Sequence, residues 1–241
     1  MYGMYGYGYG YGFDPTIILV LIGVALSLWA QGRVNSTFSR YSRVRSMTGM
    51  TGAEAARRLL NAQGIYDVTV QPIAGELTDH YDPRTKTVNL SQSVYGATSV
   101  AAIGVAAHEC GHAMQDNEGY APLRFRSALV PAANFGSKLS WPLILLGLVF
   151  GGLGSPLVEI GILMFSLAVL FQLVTLPVEY NASARAVRLL DSQGILAGEE
   201  VRGTRKVLNA AALTYVAAAA TSILQLLRLI ILFGGRNRRD N

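Results

Sequence analysis

The sequence holds a single cysteine, Cys110, in 241 residues, so no disulfide framework can form within the chain. Charge is scarce as well: 15% of the residues are charged, against about a quarter in an ordinary soluble domain, while 51% are apolar. That balance leaves too little charged surface for a water-soluble globule of this size, and it excludes a disordered chain or a collagen-like repeat. Histidine is the third scarcity; with only three in the chain, the place of each is informative. What charge there is avoids four stretches altogether, Pro15 to Gly32, Leu139 to Val158, Ile160 to Val178 and Val207 to Leu227. Each approaches the roughly 20 residues that cross a bilayer as a helix. The expectation is a multi-pass membrane protein, mainly α, with about four transmembrane helices.

The net charge of +5 invites a nucleic-acid partner, but its distribution argues against one. Of the 20 Lys and Arg, 16 lie between Arg33 and Lys138 or between Arg185 and Lys206, and apolar runs bound both intervals. Four spans put these two intervals on one face of the cell membrane, and the positive-inside rule makes that face cytoplasmic, with both termini outside. The tail residues Arg236, Arg238 and Arg239 run against the rule, and Arg228 can snorkel towards their end of the last span. Only Glu159 and Arg228 interrupt the apolar stretches, both within reach of an interface, which speaks against a channel or transporter.

The charge pattern divides the chain into a Tyr/Gly low-complexity arm (1–14), a first span (15–32), a soluble region (33–138), two spans (139–154 and 156–177) around a Gly154-Ser155-Pro156 turn, a second soluble segment (178–209), a last span (210–233) and a basic tail (234–241). The arm cannot build a core, and its tyrosines suit a membrane interface. In the first soluble region, Thr51 and Glu54 form a capping box that opens a helix ended by Gly64. Val68 to Ile73 and Thr87 to Leu90 alternate as short strands, with a type I turn at Asp82 to Thr85. A helix follows from about Ser99 to Gln115.

That helix carries His108-Glu109-Cys110-Gly111-His112, an HExxH pattern. Positions i and i+4 share one face, so both imidazoles can reach a single Zn²⁺ while Glu109 poises a water at the metal. Cys110 lies about 200° round the helix from His108 and faces away. A catalytic zinc takes a third protein ligand and keeps one position open. His80 is the remaining imidazole. A carboxylate from a second helix is the alternative, with Glu179 the outstanding candidate. It follows the third span directly, and Ala182, Ser183 and Ala186 give its helix a small-residue face that can pack against Ala107, Gly111 and Ala113.

The stretches GELTDHYDP (Gly75 to Pro83), VNLS (Val88 to Ser91), AAHECGHA (Ala106 to Ala113) and PVEYNASARA (Pro177 to Ala186) resemble the YugP-type neutral zinc metallopeptidases over most of the chain from Arg33 onward. More distantly, the HExxH helix with a Glu-x-x-Ala element is similar to the HtpX and CAAX-prenyl endopeptidase class of membrane gluzincins. The resemblance implies a small α+β zincin-like domain with a short edge-strand sheet, one zinc ion held by His108, His112 and Glu179, and Glu109 as general base. It departs at Ser183, where the prenyl endopeptidases carry an aspartate; a hydroxyl there would replace the carboxylate that orients a ligand histidine. The implied activity is hydrolysis of peptide bonds in membrane or membrane-proximal proteins. The Thr87 to Leu90 strand would serve as the edge that pairs with an extended substrate. Tyr180, His80 and Arg185 stand as alternative oxyanion or substrate contacts, and an adaptor or a second copy could complete the assembly. A membrane scaffold with a structural zinc site, closed by His80 or Cys110, is the competing reading.

Overall fold

The computed structural model describes residues 14–152 and 155–234; the Tyr/Gly arm up to residue 13, Gly154 of the expected turn and the arginines of the tail lie outside them. Among the described residues the elements run α1 (Ile17–Ser42), α2 (Gly52–Ala62), β1 (Thr69–Ile73), β2 (His80–Asp82), β3 (Thr87–Ser91), α3 (Gln92–Tyr95), α4 (Val100–Asn117), α5 (Ala121–Gly151), α6 (Pro156–Ser192) and α7 (Glu199–Phe233). The helices α1, α5, α6 and α7 are each long and apolar enough to cross a membrane.

These four helices do not stop where charge resumes. α6 continues from its apolar run through Glu179 to Ser192, and α7 begins eight residues ahead of Val207. Nothing in either stretch breaks a helix, because Lys, Arg, Glu and Ala are good helix formers whether the surroundings are lipid or water. Ser155 caps α6 by accepting from Leu157 N–H, and Pro156 fills its first position, where its lack of an N–H does no harm. α1 and α7 run antiparallel: Gly23 meets Thr221 near one end and Tyr41 meets Gly203 near the other. At the first of these ends Arg228 pairs with Asp14 at 2.8 Å, so its charge is neutralised within the protein as well as being close to an interface.

The remaining elements pack around α4. This helix is buried nearly all round, touching α2, α6, α7 and the sheet, and its Ala- and Gly-rich sequence lets all of them approach. α2 opens with the expected Thr51–Glu54 capping box and turns Ala55, Ala56, Leu59 and Leu60 into this core. Cys110 faces the same core, with its Sγ 3.6 Å from the Ala56 carbonyl.

The sheet has the order β1-β3-β2, with β1 parallel and β2 antiparallel to β3. This corrects the expectation for Thr87 to Leu90: β3 is the central strand, its backbone paired on both sides. The turn after Asp82 folds β2 onto one flank of β3 and the crossover after Ile73 leaves β1 on the other. Every residue of β3 is buried, as a central strand covered on both faces must be. Among the described residues the free edge on the α4 side belongs to β2.

Candidate metal centre

His108 and His112 project from one face of α4, as their spacing requires, and Glu179 reaches them from α6. The close approach of the two helices rests on Gly111, where an added Cβ would come within 2.6 Å of the Ala182 carbonyl oxygen. The small residue at 111 and the small face after Glu179 thus meet as the sequence suggested. His108 Nε2 lies 3.2 Å and His112 Nε2 3.6 Å from Glu179 Oε2. One donor atom from each of the three residues falls within 4.8 Å of the other two.

Two imidazole nitrogens and a carboxylate oxygen at these separations fit a zinc ion, whose ligands stand about 2.0 to 2.2 Å from the metal in a tetrahedron. The hydrogen bonds behind them favour the same use. Gln115 donates its amide N–H bonds to the Val178 carbonyl (2.9 Å) and to Asn181 Oδ1 (3.0 Å), which leaves its Oε1 to accept from His112 Nδ1 at 3.0 Å. Ser183 Oγ lies 3.1 Å from His108 Nδ1, in hydrogen-bond contact with it. Held at Nδ1 in this way, each ring directs its Nε2 towards Glu179. The Gln115 link continues outward, since Arg185 donates to Asn181 Oδ1 and pairs with Glu118 at 2.6 Å.

Electrostatics favour the charged forms of Glu179 and His112. Burial works against the Glu179 carboxylate, yet its hydrogen bonds to His108 and His112 outweigh burial and keep it well below the usual carboxylate range. For His112 burial opposes protonation, but Glu179 and Glu109 together push the imidazole up. The second carboxylate oxygen of Glu179 faces Arg126 of α5 at 3.5 Å.

The triad lies where two limbs of one cleft meet. The first limb, about 260 Å³, runs between α1, α4 and α7 past Val34, Leu77, Val105, Leu208 and Ala211. The second, about 280 Å³, runs between β2, α4 and α5 past His80, Tyr81, Leu123, Arg126 and Val130. Asp79, His108, Glu109, Glu179 and Tyr215 line both. Asp79 is fixed by the backbone N–H and hydroxyl of Ser91, and burial outweighs those bonds to raise its carboxyl above the ordinary range. Leu77, which lines the first limb, holds a left-handed backbone at φ 54, a costly conformation for a leucine.

The residues weighed from the sequence divide between this cleft and other places. Glu109 is buried and lines the cleft beside the three-donor cluster. His80 lines the second limb but uses both ring nitrogens: Nδ1 donates to the Thr78 carbonyl at 2.9 Å and Nε2 accepts from Asn89 at 3.2 Å, in a row that Gln71 completes across the three strands. Arg185 lies behind His112 in the Gln115 relay and does not line the cleft. Tyr180 is half exposed on another face of α6, beside a different cavity. Gln115, Arg126, Tyr215 and Asp79 were missed; only Gln115, one turn after His112, carried a local signal.

Comparison with known proteins agrees with this picture. A family model described as "Putative neutral zinc metallopeptidase" matches residues 16–234. The "Putative membrane protease YugP" of Bacillus subtilis (strain 168) is 49% identical over 224 residues, which cover 93% of this chain and 98% of that protein. No solved structure matches.

Proposed function

Because the chain belongs to the family described as "Putative neutral zinc metallopeptidase", we propose that it is a zinc-dependent membrane endopeptidase, with His108, His112 and Glu179 as ligands and Glu109 as general base. The observation that carries this reading is a three-donor cluster opening onto a cleft, with a buried glutamate beside it. Bound there, zinc supplies Lewis acidity to the scissile carbonyl and acidifies a water. Glu109 takes the proton of the attacking water and later passes it to the leaving amine. Arg126 and Tyr215 stand on the cleft walls as candidate donors to the developing oxyanion; Tyr180 and Arg185, which do not line it, and His80, whose ring nitrogens are both engaged, are set aside in that role.

The exposed edge of β2 offers backbone groups to an extended substrate along the second limb, the role first assigned to β3. The apolar first limb lies where α1 and α7 pass from polar to apolar sequence, which favours membrane or membrane-proximal segments as substrates. The positive-inside rule puts this level at the cytoplasmic face. Against a closed structural zinc site stand Cys110, turned into the core, and His80, with both nitrogens engaged.

The test uses two variants of the full chain. Glu109→Gln abolishes cleavage of a membrane-protein substrate and keeps stoichiometric zinc, whereas Glu179→Ala loses the metal. Normal cleavage by the first variant would remove Glu109 as base, and full zinc content in the second would remove Glu179 as ligand.

A further inference from the structure

A cavity of about 660 Å³ lies outside the cleft, between α1, α6 and α7. Three apolar runs end at its wall. Arg33 is the first charge after the run in α1, Lys206 the last before the run in α7, and Tyr180 stands two residues beyond the run in α6. Run ends read separately from three segments thus come together at one level, the polar boundary of the spans.

The lining changes character across that boundary. Arg33, Thr37 and Arg40 follow one another along a single face of α1, and Lys206 and Asn209 face them from α7. Further along α7, into its apolar run, come Ala210 and Leu213. Among the described residues none of the three cations makes an ion pair; Arg40 has a contact only with the Tyr41 ring, at 5.7 Å. Cations, hydroxyls and an amide on one side and apolar side chains on the other match a molecule that is anionic at its head and apolar below. Tyr180 suits the same boundary, because a tyrosine combines an apolar ring with a polar hydroxyl.

We infer that this cavity binds the phosphate headgroup of an anionic phospholipid, with Arg33, Arg40 and Lys206 neutralising the phosphate and Tyr180, Thr37 and Asn209 hydrogen-bonding it. Basic pockets between membrane helices take headgroups of this kind. The volume is in the range of small-molecule sites. A soluble phosphate would satisfy the cations but would leave Ala210 and Leu213 without a role, so the lipid is the better occupant. The inference rests on the membrane-spanning reading and is independent of proteolysis.

The experiment measures lipid retained by the full-length protein in detergent by native mass spectrometry, offering phosphatidylglycerol and phosphatidylcholine in equal amounts. The wild type retains phosphatidylglycerol selectively. Replacing the cavity cations together (Arg33→Gln, Arg40→Gln, Lys206→Gln) reduces that selectivity by roughly tenfold or more. A control triple at exposed cations elsewhere (Arg43→Gln, Arg84→Gln, Arg124→Gln) keeps it. If the cavity triple does not fold, the single Lys206→Gln carries the same comparison with a smaller loss. The inference is overturned by equal losses in the two triples or by no headgroup preference in the wild type. Displacement of the lipid by inorganic phosphate at equal concentration would assign the site to a soluble anion, and displacement by an acidic peptide would make it a protein-docking surface; either result also overturns it.

Discussion

Each imidazole of the cluster directs Nε2 towards Glu179 because its Nδ1 already has a hydrogen-bond partner, Ser183 for His108 and Gln115 for His112. The two supports differ in kind. Ser183 is a single hydroxyl, whereas Gln115 is fully buried and tied to both Val178 and Asn181, so it fixes the α4 ring against the backbone of α6. Loss of such supports lowers metal affinity by about ten- to a hundredfold. Gln115→Ala is expected at the upper end of that range and Ser183→Ala at the lower, as measured by zinc competition against a chelator; equal affinities in both variants and wild type would show that the rings need no such support. His108, Glu109 and His112 were legible because one helical turn brings them together in any context, and Glu179 because a small-residue face follows it. Arg126 and Tyr215 were not, since they reach the cleft only through the packing of α5 and α7. Tyr180 was misplaced for a local reason: adjacent helical residues diverge by about 100°, so a neighbour of a buried ligand need not face the site.

Where α4 and α6 touch, the separation is set by Gly111 against Ala182, and the ligand distances depend on it. A methyl group there would meet a carbonyl oxygen, which cannot swing aside as a flexible side chain can. Gly111→Ala should cost about 1–3 kcal/mol through overpacking and should reduce zinc content, as read by thermal unfolding in detergent and by metal analysis. Gly32→Ala, where nothing lies within 4 Å, serves as the control and should be neutral or slightly stabilising. An unchanged Gly111→Ala protein would mean that the helices can part without losing the site. Helix and strand identity were legible here through capping and alternation. Pairing partners were not: a five-residue strand with mixed polarity says little about which neighbours flank it, and β3 became central through the turn and crossover around it. Helix limits were also hidden, because charge marks a change of surroundings and α6 and α7 pass through that change unbroken.

For the molecule as a whole, α1, α6 and α7 meet at one polar boundary, and both the candidate metal cluster and the basic cavity lie at it on different faces of α6. The proposed orientation gives a direct expectation. A cysteine placed at exposed Tyr66 should resist a membrane-impermeant thiol reagent in intact cells and react after permeabilisation, whereas one at Pro15, ahead of α1, should react in both conditions. The reverse pattern would invert the membrane orientation. This measurement is unusually clean for this protein because of Cys110. Its thiol is fully buried against α2, where burial also pushes its ionisation up, so the reactive thiolate is suppressed. The native chain is therefore already silent towards such reagents, and probes can be attached one position at a time without first removing a residue that sits between His108 and His112.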